Sequence, residues 1–421
     1  MNLSSSTPML AADPALPQRD LLLDEAVMKE YLSHLLARNG DCGIEECERL
    51  RTKYRIGTSL RVLYEVAGNC RSYRIAARAF PRTRHVTNSF SSSSEINAPE
   101  LNTTFWIFPH DRKIKQLSAL NQIPTELRYV AGQTWTKSRI VGHAPEKSVT
   151  AQCLAENNQV LAYAKVYAGD EGRDFFNTYV HLADESPKQN LHVPRALGYF
   201  EKHHLLMLEA VAGFSLSTLA PAQRGDAFFQ LGRALRALHA TAPPASLPQS
   251  ARFTPEALAR TAATIGEARP DVATLVQQLS HKLIAQHAMY SGGEHVFLHG
   301  DLHPKNILLD RERLFLLDFD QAARGIAAVD LGSVIAGLHC DACIGSLTWR
   351  EASSLTHAIL AGYGSLSAFG TLESIRWHVA AALLHERALR AVTRIRPRVL
   401  DKLPQLLQIA EAVLNGGIDA N

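Results

Sequence analysis

The chain has 421 residues, of which 46% are hydrophobic and 20% are charged, and its formal net charge is +3. This length is enough for two or three domains, each with its own core. So small a net charge argues against nucleic-acid and membrane partners, because both need a concentrated basic patch. With no visible secretory signal and no apolar stretch of bilayer-spanning length, we expect a cytoplasmic protein.

Six cysteines in so long a chain argue against a disulfide framework. Two spacings suggest zinc: Cys42 with Cys47, and Cys340 with Cys343, which His339 precedes. A structural zinc site typically has two close pairs of ligands, and the first spacing is loose. The spacing therefore favours buried or incidental thiols over a zinc site.

The first part of the chain is predicted to contain a hairpin. The β-rich runs Leu60–Val66 and Tyr73–Phe80 flank a turn at Gly68 and Asn69. The other predicted elements here are a helix over Leu21–Ala37, a serine-rich loop at Ser89–Ser94, a strand at Phe105–Phe108, and a helix over Lys113–Leu120 with Asp111 as its N-cap.

A second hairpin is predicted from Val149–Leu154 and Val160–Tyr167. It ends on Ala164-Lys-Val-Tyr167, much as the first ends on Ala77-Arg-Ala-Phe80. A degenerate internal duplication and two unrelated hairpins explain this likeness equally well.

The rest of the chain is predicted to be mainly helical, with two strands before it and a β-rich island within it. The strands are Val193–Tyr199 and His204–Glu209, the island is Val296–Leu317, and the helices include Phe228–Leu238, Val272–Ala288, Leu372–Val392 and Leu403–Leu414.

The island carries the residues that indicate chemistry. A Gly-bearing loop presents Asp301 and Asn306, and the strand that returns from it ends at Asp318. Carboxylate and amide oxygens from two neighbouring loops are ligands for a hard divalent cation. Asp301 is then available to orient an attacking hydroxyl, a division of roles that phosphoryl transfer needs.

The motif His299-Gly300-Asp301, then Asn306 and a strand ending in Asp318-Phe-Asp320, resembles the aminoglycoside phosphotransferase and choline kinase family, relatives of the protein kinases. The resemblance covers about Leu127–Leu414, and Arg376–Arg387 is similar to the closing helices of bacterial members. It implies an α+β, bilobal kinase-like fold with a β-rich N-lobe and a mainly helical C-lobe. The expected division is an additional N-terminal α/β region (1–125), the N-lobe (126–212) and the C-lobe (213–421).

The resemblance also implies roles for the motif residues. Asp301 is the expected catalytic residue, Asn306 and Asp318 are the expected Mg²⁺ ligands, and His299 and Asp330 are expected to support the loop. Asp320 is expected to satisfy backbone amides rather than to contact the metal, and His303 and Lys305 face either phosphate or solvent.

For the nucleotide, the resemblance makes Lys165 the phosphate-binding lysine and places the hinge at Glu209 and Val211, with Gly213 letting the lobes move. No glycine-rich loop is present, so Lys147 and Ser148 are the residues expected in its place. The usual glutamate partner of the lysine is not evident, because Glu171 is early and Glu185 is late.

The predicted function is Mg²⁺-dependent transfer of the γ-phosphate of ATP to a hydroxyl of a sugar, aminosugar or aminoglycoside. Few clustered carboxylates occur in the late helices, which favours a neutral or weakly basic sugar. Alternatives are a choline or amino-alcohol kinase, a catalytically weak nucleotide-binding regulatory module, and a protein-directed kinase. The residues considered for contacts with the acceptor are Asp341, Glu351, His378 and Glu386.

Overall fold

The computed structural model describes residues 9–37, 43–68, 72–87, 95–189, 191–311, 313–365 and 371–416. They form two five-stranded antiparallel sheets followed by a mainly helical part. The predicted α+β, bilobal kinase-like architecture with an additional N-terminal region is therefore confirmed. The predicted turn residue Asn69, the serine-rich loop Ser89–Ser94 and Cys42 lie outside the described residues.

The N-terminal region packs two helices against the first sheet. Its elements are α1 (Arg19–Leu23), α2 (Glu25–Ala37), β1 (Ile44–Arg55), β2 (Ser59–Gly68), β3 (Ser72–Ala79), β4 (Glu95–Ala98) and β5 (Thr103–Ile107). The strand order is β1-β2-β3-β5-β4, and all neighbours are antiparallel. The predicted hairpin, β2 with β3, and the predicted strand at β5 are confirmed.

The sequence predicts one helix over Leu21–Ala37, but the structure has two, separated at Asp24. The backbone of Asp24 is extended, and its carboxylate accepts hydrogen bonds from the N–H groups of Ala26 and Val27 at 2.9 and 3.1 Å. Asp24 thus caps α2, and because an N-cap residue is not helical, α1 ends before it.

Strand β1 was not predicted, because its hydrophobic alternation is weak. Only Ile44, Thr52 and Tyr54 are buried along its twelve residues, and most of the others are charged. A period-2 pattern cannot be read where both kinds of position carry polar side chains.

The expected helix over Lys113–Leu120 is also wrong, since the only α-helix there is the four-residue α3 (Ser118–Asn121). Asp111 does accept from the N–H groups of Lys113 and Ile114, at 2.8 and 3.0 Å. Its other oxygen accepts the N–H of Glu146 at 2.9 Å, so the side chain bridges two segments instead of starting a long helix.

The second sheet and its helix follow α3. They are β6 (Tyr129–Val130), β7 (Gln133–Thr134), β8 (Lys137–Ala144), β9 (Ser148–Leu154), β10 (Val160–Tyr167), α4 (Glu171–Gln189), β11 (Ala196–Phe200) and β12 (Leu205–Glu209). Strands β6 and β7 pair only with each other, and the sheet proper runs β8-β9-β10-β12-β11, all antiparallel. The predicted second hairpin, β9 with β10, is confirmed.

The two five-stranded sheets have the same strand order. In each, three consecutive strands form a meander, and the fifth strand lies between the third and the fourth. The main difference within the described residues is α4, which connects β10 to β11. This shared topology agrees with an origin by duplication, which remains one of the two explanations offered by the sequence.

The C-terminal part contains nine helices and the β-rich island within the described residues. Its elements are β13 (Phe214–Ser215), α5 (Pro221–Ala240), α6 (Pro255–Ala268), α7 (Ala273–Tyr290), β14 (Val296–Leu298), β15 (Ile307–Asp310), β16 (Arg313–Leu316), β17 (Ala323–Gly325), α8 (Ala328–Cys343), α9 (Trp349–Tyr363), α10 (Leu372–Ala382), α11 (Leu389–Thr393), α12 (Pro397–Asp401) and α13 (Leu403–Leu414). A π-helical turn, Leu383–Ala388, joins α10 to α11. In the described part of the chain, no helix is long and apolar enough to cross a bilayer.

The first sheet and the helical part share one continuous cluster of buried apolar side chains. A second cluster, from Ile114 to Met207, fills the space beneath the second sheet. The N-terminal region is therefore packed onto the helical part, and this contact brings β1 close to α11.

Candidate active site

The loop between β14 and β15 is held from beneath by Asp330, in the first turn of α8. The buried carboxylate of Asp330 accepts the backbone N–H groups of His299 at 2.7 Å and Gly300 at 3.0 Å. His239 Nε2 lies 3.3 Å from it. Burial alone would raise the pKa of Asp330, but the contacts with His239 and with Gly300 lower it. An ionised carboxylate therefore ties the loop to α8.

His299 is buried and connects the loop to the end of the neighbouring strand. Its Nε2 lies 2.8 Å from the carbonyl oxygen of Leu317, and its Nδ1 lies 3.3 Å from the backbone N–H of Asp301. A neutral ring with its proton on Nε2 satisfies both contacts, because Nε2 then donates and Nδ1 accepts.

Gly300 occupies a position that only glycine fits. Its φ is +78°, and a Cβ there would collide with the backbone carbonyl of Gln321. The carbonyl of Gly300 accepts a hydrogen bond from Arg252 Nη2. Arg252 Nη1 in turn bonds Glu386 at 2.5 Å, so Glu386 acts on the loop through Arg252.

The expected contact of Glu386 with an acceptor is wrong. Its side chain is 2% exposed, and its second oxygen accepts from Ser333 Oγ at 2.5 Å. With both oxygens bonded inside the helical part, it has no path to a substrate. Glu351 is also excluded, because it forms a capping box with Thr348 at the start of α9. His378 is buried and bonds the carbonyl of Ser374.

Asp301 is half-buried and faces two partners from its own lobe. Arg390 Nη2, on α11, lies 3.2 Å from its Oδ1, and Asn306 Nδ2 donates to its backbone carbonyl at 3.1 Å. Burial would raise the pKa of Asp301, but the charges of Arg390, His303 and Arg252 lower it. The side chain is therefore a carboxylate at neutral pH.

The hairpin β15–β16 brings Asn306 and Asp318 together. Asn306 directly precedes β15, Ile307 pairs with Leu316, and the N–H of Leu317 donates to the carbonyl of Asn306 at 2.8 Å. Because the Asn306 amide nitrogen is bonded to Asp301, its amide oxygen is left for another ligand. The residues predicted to bind metal thus lie side by side with oxygens of the kind that Mg²⁺ prefers.

Lys165, on β10, joins the second sheet to this hairpin. Its Nζ lies 2.9 Å from Asp318 Oδ1 and 2.8 Å from Asp320 Oδ2, and Tyr167 donates its hydroxyl to Asp320 Oδ1 at 3.0 Å. Burial would lower the pKa of Lys165, but the two carboxylates raise it. The partners of this lysine are therefore two aspartates, not Glu171 or the later glutamate of α4 considered from the sequence.

The surroundings shift the pKa values of the two aspartates in opposite directions. Burial opposes ionisation of Asp318, yet the charge of Lys165 and its hydrogen bond lower the pKa of Asp318 to about 2. Burial and the neighbouring Asp318 charge raise the pKa of Asp320. The expectation that Asp320 satisfies backbone amides is wrong, since its carboxylate bonds Lys165 and Tyr167.

Lys147, in the turn between β8 and β9, and Ser148, the first residue of β9, are the residues expected in place of a glycine-rich loop. Lys147 is exposed, with its Nζ 3.8 Å from Asp320 Oδ2, and Ser148 is buried at the start of β9. Between them and β8 lies Glu146, which the sequence did not single out. Its buried carboxylate binds three arginines of the N-terminal region: Arg61, Arg78 and Arg112.

The predicted hinge residues lie at the end of β12 and just after it. Glu209 ends β12, and its carboxylate binds Arg195 through the backbone N–H at 2.9 Å and through Nε at 2.7 Å. Val211 follows in the connection to β13. Gly213 has φ +135°, and a Cβ there would lie 2.7 Å from the carbonyl of Leu309, so this connection is pressed against β15.

A cavity of about 160 Å³ opens beside the loop between β14 and β15, inside the helical part. Asp341 and His303 line this cavity. Burial lowers the pKa of His303, and the charge of Asp301 opposes that shift. For Asp341, which is an acid, burial raises the pKa. Lys305, in contrast, is exposed.

The cysteines that the structure describes, Cys47, Cys153, Cys340 and Cys343, are free. Across the described ranges, no three His, Cys, Asp or Glu side chains are grouped so as to hold a metal ion.

A family model described as the phosphotransferase enzyme family matches residues 163–378, more than half of the chain. The match includes Lys165 and the whole motif from His299 to Asp330. No curated protein matches the chain.

Solved structures with a similar fold include several small-molecule kinases. A thermostable mutant of aminoglycoside phosphotransferase APH(4)-Ia, in ternary complex with AMP-PNP and hygromycin B, is 14% identical, with a TM-score of 0.49 over 68% of this chain and 95% of that one. ADP-bound aminoglycoside phosphotransferase APH(2'')-Ib is 13% identical, with a TM-score of 0.47 over 72% and 99%. A choline/ethanolamine kinase family protein from Mesorhizobium loti is 15% identical, with a TM-score of 0.47 over 70% and 92%.

Proposed function

Because the chain belongs to the phosphotransferase enzyme family and is thus a phosphotransferase that acts on a hydroxyl group, we propose that its reaction is Mg²⁺-dependent transfer of the γ-phosphate of ATP to a sugar-like small molecule in the cytoplasm. The contact between Lys165 and Asp318, at 2.9 Å, carries this proposal. It joins a cation of one lobe to the hairpin of the other, beside Asn306 and the Asp301 loop. A cation, metal-ligand oxygens and an ionised carboxylate are the parts that phosphoryl transfer requires.

In this proposal the nucleotide lies between the second sheet and the hairpin. Lys165 binds its phosphates, and Lys147 adds charge from the turn above, with Ser148 at the start of β9. The backbone at Glu209 and Val211 contacts the purine edge. Two carboxylates hold Lys165 in place before the nucleotide binds. Lys165 then exchanges these carboxylates for the phosphates as its anionic partners.

The donor set fits Mg²⁺: Asn306 offers an amide oxygen and Asp318 a carboxylate that is ionised at neutral pH. We assign these two residues as its ligands. When bound, the ion neutralises charge on the phosphates.

Asp301 orients the acceptor and receives its proton. The acceptor oxygen forms a bond to the γ-phosphorus, and the bond from that phosphorus to the β,γ-bridging oxygen breaks, so the electron pair leaves with ADP. The hydroxyl proton passes to an Asp301 oxygen and then to solvent. Arg390, 3.2 Å from Oδ1, keeps Asp301 ionised before the step.

Replacement of Asp301 by asparagine tests the proposal. Incubation with Mg²⁺-ATP and a panel of glucose, glucuronate, glucose 6-phosphate, glucosamine, kanamycin and choline, with product mass as the readout, identifies acceptors. On the best acceptor, D301N should lower kcat by about 10²- to 10⁴-fold while the Kd for ADP stays unchanged. D310N is the matched control, because Asp310 lies on the same hairpin and forms an ion pair with Arg313 at its turn.

Two outcomes would contradict this function. If no compound gains phosphate and ATP is hydrolysed equally by wild type and D301N, the protein is a nucleotide-binding module rather than an active kinase. If choline alone is phosphorylated, the reaction class stands and the sugar assignment fails.

A further inference from the structure

Positive charge is concentrated around Asp301 in the helical part. Arg390 of α11 contacts Asp301, and the chain that follows carries Arg394 and Arg396 within six residues. These side chains belong to the helical part, opposite the second sheet from which Lys165 projects. The cluster is therefore distinct from the lysines assigned to the nucleotide.

The cavity beside the catalytic loop opens onto the same cluster. Arg387 and Arg396 line it together with a single carboxylate, Asp341, and the rest of its wall is largely apolar. Arg387 donates to the carbonyl of Ser333 at 2.7 Å, while Arg396 is exposed. The cavity thus presents two guanidinium groups to one acidic group.

The N-terminal region adds a further cation from across the cleft. On β1, Thr52 and Tyr54 are buried on one face of the sheet, so Arg51 and Lys53 project from the opposite face. Strand β1 packs against α11, and Arg51 lies close enough to Asp301 and Asp318 to interact with their charges. Arg51 is exposed to solvent, so its guanidinium group is accessible to a ligand.

Three of these arginines are attracted by nearby aspartates but, in the part of the chain that the structure describes, are not held in ion pairs. Within the described residues, Arg51, Arg394 and Arg396 make no ion pair. Burial, together with the like charges of Arg390 and Arg396, lowers the pKa of Arg394 to about 10. Positive groups held together in a partly desolvated cleft favour an anionic ligand, which would relieve this repulsion.

We propose that the acceptor is an anionic hydroxy compound, whose carboxylate or phosphate group is bound by Arg394, Arg396 and Arg51 while its hydroxyl faces Asp301. This inference rests on the proposed phosphotransferase function and narrows its acceptor class away from neutral and basic sugars. The chemical step is unchanged: the new bond joins the acceptor oxygen to the γ-phosphorus, ADP leaves, and Asp301 takes the proton.

Matched acceptors test the charge requirement. With Mg²⁺-ATP, we compare glucose with glucuronate, glucose 6-phosphate and glucosamine, and glycerol with glycerate. At least one anionic member should exceed its neutral counterpart in kcat/KM by about tenfold or more, as expected when a charge-assisted hydrogen bond is gained. The carboxylate and phosphate arms show which anion the cluster binds. Faster reaction of glucose, glycerol or glucosamine than of every anionic member would overturn the inference.

Substitution of Arg396 locates the effect. R396Q should raise KM for the preferred anionic acceptor about tenfold and leave KM for ATP unchanged. R350Q, on the exposed start of α9, is the control and should change neither. An equal rise in KM for ATP would instead assign the cluster to the triphosphate.

Direct binding separates this inference from the reaction itself. In the presence of Mg²⁺-ADP, the Kd values of the same compounds are measured by calorimetry on wild type and R396Q. Tighter binding of an anionic member, lost in R396Q, supports the anion site even if no acceptor is phosphorylated. Equal or weaker binding of all anionic members contradicts it even if phosphorylation occurs.

Discussion

Arg78 of the first sheet donates to the carboxylate of Glu146, in the turn of the second sheet, at 2.6 Å. Arg78 stands two residues before the end of the first predicted hairpin, as Lys165 stands two residues before the end of the second. The two sheets share one strand order, so these cations occupy corresponding strands. One holds the turn that carries Lys147, and the other reaches Asp318 and Asp320.

Replacing Glu146 by glutamine should destabilise the protein and weaken nucleotide binding. The carboxylate is 5% exposed and holds three partly buried arginines, so its loss leaves their guanidinium groups without this partner. Breaking a buried pair in this way lowers the free energy of unfolding by about 3–5 kcal/mol. Denaturant unfolding measures the loss, and calorimetry should show a higher Kd for ADP because the turn carrying Lys147 is released.

Glu65 supplies the control for E146Q. It binds Arg74 on the same sheet at 3.0 Å, but its side chain is 40% exposed. E65Q should therefore change stability by less than about 1 kcal/mol and leave ADP binding alone. Equal effects of E146Q and E65Q would contradict the role of the Glu146 cluster in joining the two sheets.

Arg390 should control the acidic limb of the pH profile. Its charge is the largest factor lowering the pKa of Asp301 against the effect of burial, with His303 and Arg252 next. R390M should raise that pKa, so that Asp301 is protonated at a higher pH. The acidic limb of kcat/KM against pH should then move upward in R390M and stay in place in R350Q. An unmoved limb would show that another group sets it.

Two buried histidines and one half-buried histidine should make the protein acid-sensitive. Burial lowers the pKa values of His339, His378 and His385 to about 4 each. Between about pH 4 and the ordinary histidine pKa of about 6.5, the unfolded chain binds protons that the folded chain does not, so stability falls with falling pH. Each histidine contributes about 1.4 kcal/mol per pH unit in this range.

His339 is the histidine with which to check this, because burial is the sole cause of its shift and its Nδ1 is buried without a partner in the described structure. H339L should reduce the slope of unfolding free energy between pH 6 and 5 by about one proton. H357L replaces an exposed histidine of α9 and should leave the slope unchanged. Equal slopes for wild type and H339L would contradict the prediction.

The arrangement of the loop between β14 and β15 could be predicted from the sequence because its residues are close along the chain. His299, Asp301 and Asn306 fall within one loop, and the strand that returns to Asp318 is only a hairpin away. Local spacing therefore determines which side chains meet. The hairpins around Gly68 and between β9 and β10 were predictable for the same reason.

Contacts over long chain separations could not be predicted in this way. Arg390 meets Asp301 across 89 positions, Arg252 meets Glu386 across 134, and Arg78 meets Glu146 across 68. Each depends on how the N-terminal region and the late helices pack, and no periodicity in a single segment reports that packing. An arginine or glutamate in such a segment has the same pattern as an ordinary surface charge.

Removing Lys165 should change the response of the protein to Mg²⁺ as well as its activity. In K165M, Asp318 and Asp320 lose the cation that lies 2.9 and 2.8 Å from their oxygens, so two close carboxylates are left to repel each other. A divalent cation then neutralises more uncompensated charge than in the wild type. Addition of Mg²⁺ without nucleotide should therefore raise the Tm of K165M by more than that of the wild type. K202M, which alters an exposed lysine near Glu126, should respond as the wild type does. Equal Mg²⁺-induced shifts in K165M and wild type would contradict the assignment of Asp318 as a ligand of the cation.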